Sequence, residues 1–86
     1  MVYLVEILVR YQEEILNPEA RAIQNTIGFL GYEDIENFNN GKYFSYITQA
    51  ETEELARGEA SKLCKELLAN SVNERFDIIS IRKKEE

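Results

Sequence analysis

Side chains able to do acid, base or nucleophilic work are few in this chain, and their spacing argues against their doing it. There is no histidine, so the commonest general base, the usual zinc ligand and every imidazole-dependent serine or cysteine system are missing. The single cysteine, Cys64, falls between Ala60 and Leu67 at helical spacing, which predicts a packed thiol rather than a nucleophile. Acidic pairs stand at Glu13–Glu14, Glu33–Asp34 and Glu53–Glu54. Paired carboxylates can share a proton or hold a cation, yet each pair falls at an element boundary, and none has the spacing of a metal loop. The glycines Gly28, Gly31, Gly41 and Gly58 are scattered, so neither a phosphate loop nor a dinucleotide fingerprint is present. The expectation is a chain with no catalytic, cofactor-binding or metal-ligating residue of its own.

Size and charge point the same way. Eighty-six residues make one domain, expected over residues 1–82 with a frayed charged tail at 83–86. A chain this short buries only about 60–65% of its unfolded surface, so association with another chain is expected. With 16 acidic and 10 basic residues, a formal charge of −6 and a pI near 4.7, it repels a phosphate backbone, and nucleic acid is not an expected partner. Gly41-Lys42-Tyr43-Phe44-Ser45-Tyr46-Ile47 has some likeness to the aromatic strand of an RNA-recognition motif. Asn40 stands where that motif wants a basic residue, however, and Phe44 where it wants glycine or alanine. No apolar run approaches the length of about 18 residues that a membrane helix needs, and Met1–Val9 lacks the basic start and small-residue end of a signal peptide. An unpaired cysteine fits a reducing compartment, so the cytoplasm is expected.

The periodicity predicts strand, helix, strand, strand, helix, strand. Tyr3 to Tyr11 alternates as a strand. Asn17, Pro18 and Glu19 read as a helix start, Ala20, Ile23, Ile27 and Leu30 as its buried stripe, and Gly31 as its end. A weaker strand is expected at Glu33–Phe38, with Asn39-Asn40-Gly41 as a hairpin turn into a strand from Lys42 to Ala50. Thr52 should cap a second helix with Ala56, Ala60, Leu63, Cys64 and Leu67 inward and Asn70 as its stop. Arg75 to Ile81 completes the set. This βαββαβ order is a split-βαβ arrangement, an α+β two-layer sandwich with both helices on one face of an antiparallel sheet.

Such a sheet should be polar on its open face, but apolar residues occupy both phases of these strands. Leu4, Leu8, Phe44, Tyr46, Ile79 and Ile81 are expected to form a second apolar face, too large to leave in water on a small domain. Self-association as a dimer or dimer of dimers follows as the expectation.

Four short strings in fixed order add a family likeness: Leu16-Asn17-Pro18-Glu19, Phe29-Leu30-Gly31-Tyr32, Gly41-Lys42-Tyr43, and Cys64-Lys65-Glu66-Leu67-Leu68-Ala69-Asn70. Together they resemble the PurS family, small subunits of the three-part formylglycinamide ribonucleotide amidotransferase of purine biosynthesis, over about Tyr3 to Ile81. The resemblance implies a noncatalytic bridge between a PurL-type synthetase subunit and a PurQ-type glutaminase subunit, with ATP and magnesium bound on the large subunit and no cofactor on this one. On that basis Arg21, Lys42 and Tyr43 are the candidate partner contacts. Departures from the family pattern stand at Gln12-Glu13-Glu14, Ala20, Asn39 and Ser71, where many relatives have lysine-proline-glycine, glycine, arginine and proline. An amino-acid-sensing domain of the ACT type shares the βαββαβ order and is the alternative, although Tyr11 to Asn17 lacks the glycine such a ligand site tends to need.

Overall fold

The computed structural model describes residues 1–12 and 15–84. β1 (Val2–Tyr11) buries every second residue, Tyr3, Val5, Ile7 and Val9, as a strand covered on one side should. α1 (Pro18–Phe29) begins at Asn17, whose Oδ1 accepts the Ala20 amide at 3.1 Å, with Pro18 in the first turn where a missing N–H costs nothing. Gly31, at φ 95°, turns the chain out of the helix. β2 (Lys42–Gln49) follows, then α2 (Glu53–Leu63), whose cap Thr52 accepts the Leu55 amide at 3.2 Å. A single π-helical turn, Cys64–Leu68, extends α2 before β3 (Glu74–Lys84). The sheet has the order β2-β1-β3 and is antiparallel throughout. The α+β class of a sheet with two helices stands, and Val5, Ile7, Val9, Ala60 and Cys64 form its core.

The fourth strand does not form. Residues 33–38 run as an irregular segment, and β2 pairs with β1 instead, Val5 opposite Tyr46. Asn37 sits at φ 54°, outside the extended region. The backbone groups that a ladder would need are also taken: Gln24 Nε2 donates to the Ile35 carbonyl at 3.2 Å, and the Phe38 amide donates to Gln24 Oε1 at 2.9 Å. Accordingly Asn39, Asn40 and Gly41 are not a hairpin turn. Gly41 is required for close approach, because a Cβ there would meet the Val9 carbonyl oxygen and come within 2.9 Å of Arg10 Cγ.

Gln24 therefore ties α1 and its return segment into one arm, and the arm stands off from its own sheet. Of the expected α1 stripe only Ala20 is buried; Ile23 and Leu30 are exposed. The molecule measures 50 × 29 × 14 Å with a radius of gyration of 16.5 Å, against about 12 Å for a compact chain of this length. β3, the longest strand at 11 residues, spans only about 36 Å, so the sheet alone does not account for the long axis.

Three further differences have local causes. The π turn advances the helical phase by one residue, so Leu67 is 74% exposed while Leu68 and Ala69 pack on the core in its place. In β3 the register slips between Glu6 and Ile7: Ser80 faces Glu6, Ile78 faces Ile7, and Ile79 is the extra residue of a β-bulge. The first two residues of the expected tail are part of the sheet, since Lys83 and Lys84 pair with Tyr3 and Val2. The Glu13–Glu14 pair and turn, and residues 85 and 86 of the tail, lie outside the described residues.

Candidate functional site

Cross-strand partners point to the same side of a sheet, which sorts the six residues expected on one association face. Val5 faces Tyr46 and Ile81, and Ile7 faces Phe44. Phe44, Tyr46 and Ile81 are therefore on the core side, packed against the buried cluster. Leu4 and Leu8 do lie on the open side, where their partners are Ile47 and Tyr43. Ile79 is exposed at the bulge. The correction has two sources: a strand with apolar residues in both phases does not announce its inward phase, and the bulge puts Ile78 and Ile81 on the same side three positions apart.

The open face that results has an apolar pair of rows, Leu4–Ile47 and Leu8–Tyr43, around a polar centre at Glu6. Tyr43 donates its hydroxyl hydrogen to Glu6 Oε2 at 2.5 Å, and Arg82 Nη2 reaches Glu6 Oε1 at 3.0 Å. The Tyr43 hydrogen bond, with help from the Arg82 charge and against the cost of desolvation, holds the Glu6 carboxyl below its usual range. The same bond holds the Tyr43 phenol up, because the proton it would lose is shared with a carboxylate. Arg10 closes a second pair with Asp77 at 2.8 Å. Sequence reading missed Glu6, Ile47 and Arg82 here; their only signal was a phase opposite to Val5 and Ile7.

The other two candidate contacts, Arg21 and Lys42, line clefts that contain Asn17. This buried amide uses both ends of its side chain: Oδ1 caps α1, and Nδ2 donates to Asn39 Oδ1 at 3.0 Å and Asn40 Oδ1 at 2.7 Å. Asn17 forms a wall shared by two clefts. One, of about 440 Å³, is lined by Leu16, Ala20, Arg21, Phe38 and Asn39 among others; the second, of about 320 Å³, by Arg10, Tyr11, Glu19, Gly41, Lys42 and Glu74. Lys42 Nζ lies 3.3 Å from Glu74 Oε2. The Asn70 amide, bonded to Glu74 at 2.8 Å, and then Lys42 hold that carboxyl below its usual range. Arg21 and Lys42 thus line two different clefts that share Asn17, whereas Tyr43, next in sequence to Lys42, faces the other side of the sheet. Asn39, where a basic residue was a possible contact, serves instead as an internal hydrogen-bond acceptor.

Cys64 is fully buried, and burial pushes its thiol up, the reverse of what a nucleophile needs. Among the described residues no three of His, Cys, Asp and Glu are grouped so as to hold a metal ion, and none of the helices is long and apolar enough to cross a membrane. The geometry presents an open sheet face, an amide-lined corner and an exposed helical arm.

Comparison with known proteins matches the chain to a family. The model of the PurS family, described as phosphoribosylformylglycinamidine (FGAM) synthase, matches residues 4–82. A curated relative, the phosphoribosylformylglycinamidine synthase subunit PurS of Methanocaldococcus jannaschii, is 33% identical over 76 residues, covering 88% of this chain and 92% of that one. The crystal structure of M. jannaschii PurS, one of the subunits of formylglycinamide ribonucleotide amidotransferase in the purine biosynthetic pathway, superposes with a TM-score of 0.86 at 31% identity, over 96% of this chain and 99% of that chain. A chain in the structure of PurLQS from Thermotoga maritima has the same fold, with a TM-score of 0.83 at 24% identity over 95% and 96% of the two chains. Matched from Leu4 in the central strand to Arg82 in the last one, this chain belongs to the PurS family of FGAM synthase subunits.

Proposed function

We propose that this protein is the noncatalytic bridge of the FGAM synthase complex in purine biosynthesis, joining a PurL-type synthetase subunit to a PurQ-type glutaminase subunit. In this role, ammonia released from glutamine is passed on for the conversion of formylglycinamide ribonucleotide to formylglycinamidine ribonucleotide. The single observation carrying the reading is the family match over residues 4–82. The relative in the T. maritima PurLQS structure supports the choice of partners. A bridge needs two contact regions that do not compete, and the open face at Leu4, Leu8, Tyr43 and Ile47 lies on the opposite side of the sheet from the corner at Arg21 and Lys42. ATP and magnesium belong to the large subunit in this reading, and the protein works in the cytoplasm, where an unpaired thiol stays reduced. The open face and the arm also serve self-association, because exposed apolar patches of this kind mark contact surfaces.

The test is product formation by purified synthetase and glutaminase subunits, with and without this protein, driven either by glutamine or by ammonia. Addition of this chain is expected to raise the glutamine-driven rate and leave the ammonia-driven rate unchanged. If neither rate changes and neither subunit binds, the bridging role is wrong.

A further inference from the structure

We propose that Asn40 is a site of spontaneous modification in the folded chain, losing its side-chain amide as ammonia through attack by the Gly41 backbone nitrogen, with Asn17 polarising the group under attack. Asn40 is the one asparagine of this sequence that precedes glycine, and glycine has no Cβ to hinder the approach of its nitrogen to the carboxamide carbon. Gly41 is exposed, so water reaches the site. The other asparagines are held away from the same reaction. Asn17 precedes Pro18, which has no N–H, and Asn25 lies inside α1, whose ladder takes the amide that follows it. After Asn37 the Phe38 amide is given to Gln24, and after Asn73 the Glu74 amide is given to the Asn70 carbonyl at 2.7 Å. Asn39 and Asn70 turn their side-chain oxygens, not their carbons, to the Asn40 and Val72 amides.

The Asn40 carboxamide is also prepared electronically. Asn17, buried at the head of α1, donates from Nδ2 to Asn40 Oδ1 at 2.7 Å. A donor on that oxygen draws electrons from Cγ and meets the negative charge that builds there as nitrogen adds, which is the work of an oxyanion-hole donor. Nucleophile and electrophile belong to adjacent residues, so their encounter costs little entropy. In the reaction the Gly41 nitrogen gives up its proton and bonds to Cγ, the Cγ–Nδ2 bond breaks, and ammonia leaves, which closes a succinimide ring. Water then opens the ring on one of its two sides. Opening at Cγ leaves aspartate; opening at the main-chain carbonyl leaves isoaspartate, whose backbone runs through Cβ and Cγ. Both products alter the corner. Aspartate adds a negative charge to a cleft already lined by Glu19, Glu74 and Lys42. Isoaspartate lengthens the main chain just before Gly41, where even a Cβ would run into the Val9 carbonyl, and so displaces Lys42 at the start of β2. The reaction is a property of the chain itself and does not depend on the bridging role.

The test incubates the folded full chain at mildly alkaline pH, where the Gly41 amide loses its proton more readily, in water enriched in heavy oxygen. Peptide mapping by mass spectrometry then scores labelled aspartate and isoaspartate at each asparagine. Three variants accompany the wild type: Asn40→Gln, whose longer side chain cannot close the same ring, and Asn17→Asp and Asn17→Ser. The last two keep a capping oxygen for α1 but bring no amide donor to Asn40 Oδ1, and circular dichroism identifies those that are folded. Label is expected at position 40 of the wild type roughly tenfold faster than at any other asparagine, and not at position 40 of Asn40→Gln. Each folded Asn17 variant should label position 40 more slowly, by roughly threefold or more. Labelling at position 40 no faster than elsewhere, or only after unfolding in urea, overturns the proposal. So does a folded Asn17 variant that reacts as fast as the wild type or faster, since Asn17 then clamps the carboxamide instead of activating it.

Discussion

Glu6 shows how one side chain can tie a polar network into an apolar face. Its carboxylate takes the Tyr43 hydroxyl on one oxygen and Arg82 on the other, and the resulting pKa lies below the ordinary 4.5. A depressed carboxyl contributes stability that is present above about pH 4.5 and is lost as pH falls through the lower folded value. NMR titration of Glu6 should therefore show a midpoint below 4.5, and Tyr43→Phe should move it upward, since the Tyr43 bond is the largest cause. No upward movement would mean that Arg82 alone holds the charge. Tyr43 responds with the opposite sign: its phenol is raised, so its bond persists to alkaline pH and is lost only as pH rises past the usual tyrosine range. Gly41 illustrates a different residue-level constraint. Any Cβ there meets the Val9 carbonyl oxygen, and overpacking of this kind costs about 1–3 kcal/mol. Gly41→Ala should lower the urea midpoint accordingly, and an unchanged midpoint would show that β1 and β2 can separate locally without cost.

At the scale of elements, the readable parts were those fixed by local chemistry. Asn17 with Pro18, Gly31 and Thr52 each marked a helix boundary that the structure keeps, because caps depend on residues within one turn. What sequence did not disclose were phase shifts and competing bonds. The π turn and the Ile79 bulge each insert one residue, and a single insertion rotates everything beyond it to another face. That is why Leu67 and Ile81 were assigned to the wrong sides. The Glu33–Phe38 strand failed for another reason: Gln24, eleven residues before Ile35, takes its backbone groups, and no periodicity reports such a bond. The π turn can be checked directly. Leu68→Ala should cost roughly 1–3 kcal/mol in a thermal or urea melt, because Leu68 packs on the core. Leu67→Ala should cost less than about 0.5 kcal/mol, as an exposed position does. The reverse order of losses would mean that the helix continues without a π turn in solution.

For the whole molecule, length alone foretold a thin core, and the structure shows which apolar surface is left uncovered. A core of Val5, Ile7, Val9, Ala60 and Cys64 is small for 86 residues, and the exposed arm and open face explain the shortfall. The candidate surfaces were only half legible: Leu4 and Leu8 lie on the open side as expected, Tyr43 joins them there while Arg21 and Lys42 line the clefts that share Asn17, and Phe44, Tyr46 and Ile81 belong to the interior. The central position of β1 has one more consequence, and it concerns synthesis rather than assembly. β1 is translated before β2 and β3, yet it pairs along one side with β3, where Val2 meets Lys84. Until β3 leaves the ribosome, β1 carries an unpaired edge along that side. Closing so long a loop is slow, and a nascent chain held in that state exposes an aggregation-prone strand. The sheet therefore cannot be completed piecemeal during translation: its middle is made first and sealed last.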